Sequence, residues 1–149
     1  MTNDDRRLPN PMIYLDYQAT TPLAPEAREA MLRWLGGPGS DGFGNPHSPH
    51  RMGRMAAAAV EVAREQVAAL LPPGGRVIFT GSATEAINLA IRGSGSGGTV
   101  AYSAIEHAAV IDTSRDAGPC HELGVTTDGL CDAAQDLPDD TRLVCVMQV

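Results

Sequence analysis

The sequence predicts an α/β fold: a mostly parallel sheet with helices on both faces. Short apolar runs at residues 76–79, 99–103 and 142–149 alternate with helical patterns at 25–35, 55–71, 84–92 and from 108 onward. That alternation reads as strands joined by right-handed helical crossovers. The run Leu143-Val144-Cys145-Val146-Met147 is apolar without a break, the pattern of a parallel strand buried on both faces. The apolar fraction of 43% and the 16 glycines suit such a domain.

Taken in order, residues 1–11 read as a disordered lead, since Pro9 and Pro11 resist regular structure. Residues 12–15 (Met-Ile-Tyr-Leu) predict a short strand, and 16–22 a turn. Pro25 opens a helix to about Leu35, with Ala27, Met31, Leu32 and Leu35 on one face, before Gly36-Gly37. Residues 38–53 are rich in Gly, Pro and His and read as a loop, and loops of that length in compact domains are often functional. Residues 55–71 predict the clearest helix, with Val60, Ala63, Val67 and Leu70 at helical spacing.

Residues 76–79 (Arg-Val-Ile-Phe) predict a buried strand and 84–92 the helix after it. Between them lie Gly81, Ser82 and Ala83. A strand that turns into a helix there aims unpaired amides outward, and with the helix dipole these suit an anion, phosphate most commonly. The same residues also suit an ordinary turn with Ser82 or Thr84 as N-cap. Residues 99–103 predict a second strand, ending near Glu106 and His107, where a helix begins at Ala108. Residues 125–127 predict a third strand, Asp128-Gly129 a turn, 132–137 a short helix and 142–149 the last strand. In a parallel sheet ligands bind beyond the carboxyl ends of the strands, so Gly81–Thr84 and His107 belong at one edge. Because the last strand meets the end of the sequence, the 149 residues read as the front portion of a larger unit.

Composition excludes several roles. A net charge of −7 and an aromatic content of 4% argue against a nucleic-acid partner. No apolar run approaches the ~20 residues of a membrane span, and the polar N-terminus has no signal-like apolar core, so the expected location is cytoplasmic. Cys120, Cys131 and Cys145 lack metal-like or CxxC spacing and read as reduced, unpaired thiols. His47 and His50 have no third ligand at suitable spacing, so no metal site is expected. All 11 basic residues are arginine, so chemistry that needs a lysine amine is beyond this sequence.

Five segments together resemble the cysteine desulfurases, pyridoxal-phosphate enzymes of the class V aminotransferase group. They are residues 14–22 (Tyr-Leu-Asp-Tyr-Gln-Ala-Thr-Thr-Pro), 43–48 (Phe-Gly-Asn-Pro-His-Ser), 50–53 (His-Arg-Met-Gly), 79–85 (Phe-Thr-Gly-Ser-Ala-Thr-Glu) with Asn88, and 106–110 (Glu-His-Ala-Ala-Val). The resemblance implies the first part of a type I, aspartate-aminotransferase-like pyridoxal-phosphate transferase fold. Residues 1–20 would be a lead and small-domain-type segment, and 21–149 the first part of the cofactor-binding large domain. It implies that Ala83 and Thr84 hold the phosphate of pyridoxal 5'-phosphate. It implies that His107 stacks over the pyridine ring and shuttles a proton, the competing reading being a helix-start histidine without a ligand. Glu106 reads as a solvated or structural acid. Asn45, His47 and Arg51 would shape the substrate mouth or a dimer contact, and Asp16, Ala19 and Thr20 would lie near the entrance. The family's cofactor-binding lysine, its pyridine-pairing aspartate and its mobile-loop cysteine have no counterpart here. The implied reaction converts L-cysteine to L-alanine and leaves the sulfur as an enzyme persulfide for iron–sulfur cluster assembly. Implied partners are a sulfur acceptor or iron–sulfur scaffold protein, and a second copy or a chain that carries the lysine. The alternatives are another class V enzyme, such as a selenocysteine lyase or an aminotransferase, and a non-catalytic remnant or binding module.

Overall fold

A computed structural model describes residues 13–40, 42–132 and 134–147. The chain divides into two compact units, Met1–Val77 and Ile78–Val149. The expected disordered lead at 1–11 lies outside the described residues.

The first unit carries two helices, α1 (Pro25–Leu32) and α2 (Arg51–Ala68). Pro25 occupies the first turn of α1, where its fixed φ fits and its missing N–H costs nothing. The helix stops short of the expected Leu35, because Trp34 N–H bonds Met31 O and Leu35 N–H bonds Leu32 O, tighter turns that unwind the end. α2 starts earlier than expected. His50 is its N-cap, and its Nδ1 accepts the Gly53 N–H at 3.2 Å. Gly53 is required by close approach: a Cβ there would press on Ser48 O and lie 2.6 Å from Asn45 O. The expected strand at 12–15 is absent from the described residues 13–15. Ile13 and Leu15 are 80% and 88% exposed, and the Tyr14 hydroxyl donates instead to Asp16 O and Thr20 O, closing a turn.

The second unit carries α3 (Ala83–Gly93), β1 (Thr99–Ser103), α4 (Ala108–Ala117), β2 (Cys120–Leu123) and β3 (Thr141–Cys145). The three strands form one parallel sheet in the order β2-β1-β3. β1 is central and buried along its whole length. Val100 and Tyr102 face α3 and α4, where they meet Ile91 and Val110, with Ile87, Ile111, Leu143 and Cys145 packed around them.

The sheet corrects several sequence-based expectations. Residues 76–79 form no strand, and Ile78 is 63% exposed. A strand exists only where a ladder forms, and the described ladders run through β1, β2 and β3 alone. β2 is the strand that 125–127 was expected to supply; Val125 makes only an isolated antiparallel bridge to Cys131. The expected helix at 132–137 is absent from the described residues 132 and 134–137, where the Asp132 carboxylate accepts the Ala134 N–H at 2.8 Å and offers the backbone a local alternative. The last strand ends at Cys145, and residues 148 and 149 lie outside the described residues. It is not buried on both faces: Leu143 and Cys145 pack into the core, whereas Val144 on the opposite face is exposed.

One irregularity anchors α3. Register shifts between Thr99 and Val100, whose partners are Thr141 and Leu143, so Arg142 is the extra residue of a bulge. Bulges re-aim side chains. The Arg142 guanidinium donates to Ile91 O at 3.1 Å, Gly95 O at 2.9 Å and the Ser94 hydroxyl, carbonyl and hydroxyl groups at the end of α3. Gly98 permits this join: its φ is +76°, and a Cβ would lie 2.6 Å from Asp140 O.

Candidate functional site

The site builds on two helix starts in the second unit. α3 begins with a reciprocal cap. Ser82 Oγ accepts the Glu85 N–H at 3.1 Å, and the Glu85 carboxylate reaches back to the Gly81 N–H at 2.7 Å. Ser-x-x-Glu is the capping-box spacing. Ser82 is therefore the N-cap, and the ordinary-turn reading of this stretch is correct as far as it goes. It does not exhaust the donors. Among the described residues, no acceptor meets the Ala83 or Thr84 amides, and Thr84 adds a hydroxyl. These are the two positions singled out for an anion.

His107 is the N-cap of α4. The His107 Nδ1 accepts the Ala109 N–H at 3.1 Å. A neutral ring held this way carries its proton on Nε2. The ring is exposed, so that nitrogen is accessible. His107 is thus the N-cap of α4, and the cap fixes the tautomer of the neutral ring.

The far ends of the two helices meet: Arg92, near the end of α3, pairs with Asp116, near the end of α4. The Arg142 contacts hold the end of α3 beside the start of β3. His107 caps α4 just beyond the carboxyl end of β1, so the dipole of α4 points positive charge at that edge.

Glu106 joins the strand ends there. Its Oε1 accepts the hydroxyl of Ser103, the buried last residue of β1, at 2.8 Å, and it accepts the Met147 N–H beyond β3. Of the two expectations for this acid, solvated or structural, these contacts fit the structural one, and the partners it holds were not expected. The signal was available: Ser103-x-x-Glu106 repeats the spacing of Ser82-x-x-Glu85.

The remaining candidates lie in the first unit. Asn45 Oδ1 accepts the His47 N–H at 2.9 Å, and Arg51 is exposed at the start of α2. Asp16 and Thr20 lend their carbonyls to the Tyr14 hydroxyl. The three thiols are free: Cys120 is exposed, and Cys131 and Cys145 are partly buried. Among the described residues, no three His, Cys, Asp or Glu side chains group as metal ligands, and no helix is long and apolar enough to cross a membrane.

Comparison with known proteins decides the family. Residues 13–149 match the aminotransferase class-V family. The chain belongs to that family. Among its relatives is the cysteine desulfurase IscS of Vibrio cholerae serotype O1, 42% identical over 151 residues, which cover 92% of this chain and 37% of the relative. The cysteine desulfurase IscS of Klebsiella pneumoniae (strain 342) is 40% identical over the same shares. The class-V chain thus spans 37% of the length of the curated relatives it matches. Its fold is similar to that of a NifS-like protein from Rickettsia africae ESF-5, with a TM-score of 0.66 and 34% identity over 81% of this chain and 33% of the other. The fold is thus part of a pyridoxal-phosphate transferase fold.

Proposed function

We propose that this chain is part of a cytoplasmic, pyridoxal-phosphate-dependent cysteine desulfurase that takes sulfur from L-cysteine, leaves L-alanine and serves iron–sulfur cluster assembly. The observation that carries this reading is the 42% identity to a cysteine desulfurase across 92% of the chain. The site geometry supports it. The Ala83 and Thr84 amides and the Thr84 hydroxyl suit a phosphate at the start of α3. The exposed His107 ring, fixed through Nδ1, suits stacking on a flat cofactor and proton transfer at Nε2.

The donor set fits the phosphate end of the cofactor and not its aldehyde end, since no lysine is present among the 149 residues. When bound, the cofactor supplies the electron sink for breaking the carbon–sulfur bond. Covalent attachment of the cofactor and capture of sulfur come from residues outside this sequence. A lysine-bearing chain or a longer form of this one completes the site, and a scaffold or other acceptor protein receives the sulfur.

The test has two arms. The pure 149-residue chain with pyridoxal phosphate and L-cysteine yields no alanine. The protein isolated from its own cells, with every accompanying polypeptide, yields alanine and contains a lysine-bearing chain or a longer form of this one. Alanine from the pure chain overturns the division of labour. A native assembly that acts on selenocysteine or an amino-acid/keto-acid pair, and not on cysteine, overturns the desulfurase assignment.

A further inference from the structure

We propose that Glu106 is a positioning residue for His107, acting as a hydrogen-bond acceptor that locks the turn carrying the imidazole to the ends of β1 and β3. The inference rests on the role given to His107 above and adds what holds that ring in place.

Three sets of contacts converge on residues 103–109. The Glu106 N–H bonds Ser103 O at 3.1 Å, and the Ser103 hydroxyl donates to Glu106 Oε1 at 2.8 Å, so backbone and side chain close the same four-residue turn. The Met147 N–H donates to the same oxygen, which ties the turn to the chain leaving β3. One residue later the direction of support reverses. His107 O accepts the Val110 N–H at 2.8 Å, and its Nδ1 accepts the Ala109 N–H at 3.1 Å. His107 is therefore held on its C-terminal side by α4 and on its N-terminal side by Glu106 together with the Ala104 N–H, which bonds Leu123 O of β2 at 2.9 Å.

Ser103 is fully buried, so its hydroxyl has no solvent to turn to if Glu106 is removed. Both bonds to Glu106 use one oxygen, and both partners are donors. A neutral amide oxygen meets the same requirement, whereas a side chain one methylene shorter does not reach. The charge is dispensable and the length is not.

The test uses the protein in the assembly in which it is isolated. The first readout needs no cofactor: the nitrogen-15 resonances of the His107 ring. Glu106→Ala and Glu106→Asp shift the Nδ1 signal as the cap to Ala109 loosens, and Glu106→Gln leaves it in place. Should Glu106→Ala fail to fold, Glu106→Asp carries this arm. The second readout is the affinity for pyridoxal 5'-phosphate in a double-mutant cycle. His107→Ala weakens binding about tenfold if stacking contributes ~1.4 kcal/mol. Glu106→Asp weakens binding severalfold with His107 present and adds nothing once His107→Ala is in place, because the pair acts as one unit. A ring signal indifferent to Glu106→Asp, equal losses with and without His107, or failure of Glu106→Gln to restore the ring signal overturns the proposal. Unchanged cofactor affinity in His107→Ala overturns the stacking role instead, and the ring resonances then decide the positioning claim separately.

Discussion

Two side chains in the second unit carry opposite lessons about buried polar groups. Ser114 on α4 is fully buried, and its hydroxyl has no hydrogen-bond partner among the described residues. An unmet buried hydroxyl costs about 1–3 kcal/mol. Ser114→Ala removes that cost and exchanges serine for a better helix former, so thermal unfolding of the variant is expected several degrees higher; an unchanged or lower midpoint refutes this. Cys145 is partly buried and, like Leu143, packs against the core. Burial, and secondarily the Glu106 carboxylate, push its thiol above the ordinary value. The sign follows from proton binding: above the ordinary thiol range, near ~8.5, the unfolded chain loses this proton before the folded one does. Stability therefore falls as pH rises through and beyond that range. Cys145→Ala flattens that part of the profile in denaturant titrations between neutral and alkaline pH.

At the level of elements, helix starts are set by side chains more than by propensity. α2 shows the competition. Gly53 sits in its first turn, and alanine there improves intrinsic helix propensity by about 1 kcal/mol. Against that gain, the new methyl would collide with Ser48 O and Asn45 O. Both are backbone atoms of a loop held by its own bond, Ser48 N–H to Asn45 O at 2.9 Å. Overpacking of this kind costs ~1–3 kcal/mol or more, so Gly53→Ala is expected to destabilise on balance. A variant of equal or greater stability in chemical denaturation shows that the loop yields. The same contacts give a physical reason why Asn45, Ser48, His50 and Gly53 occur together: His50 caps the helix that Gly53 allows the loop to approach.

For the whole molecule, much apolar surface faces outward. Ile13, Leu15, Leu35, Leu70, Ile78 and Leu130 are among the exposed large side chains, and the face of β3 bearing Val144 is open. Apolar surface of this extent marks contact sites or an aggregation hazard. The isolated chain is expected to bind a hydrophobic fluorescent dye strongly and to self-associate as concentration rises. In the native assembly the dye signal per chain falls. A dye-silent, monomeric chain contradicts this.

The sequence by itself determined β1 and the start of α4 closely, and α3 to within a residue, because the evidence for them is local. An apolar run preceded by glycines, an amphipathic stretch and a capping serine lie within a few residues of one another. It also fixed the family through five short segments, and it fixed the absence of lysine as a matter of composition. Tertiary structure decided the rest. Whether an apolar run becomes a strand depends on a ladder partner, so residues 76–79 stayed outside the sheet while Cys120–Leu123, with no apolar signature, entered it beside β1. The bulge that sends Arg142 to the end of α3 depends on the register of two distant strands. The grip of Glu106 on Ser103 and Met147 joins residues 41 positions apart at its farther contact, a pairing that exists only once the two strands lie side by side.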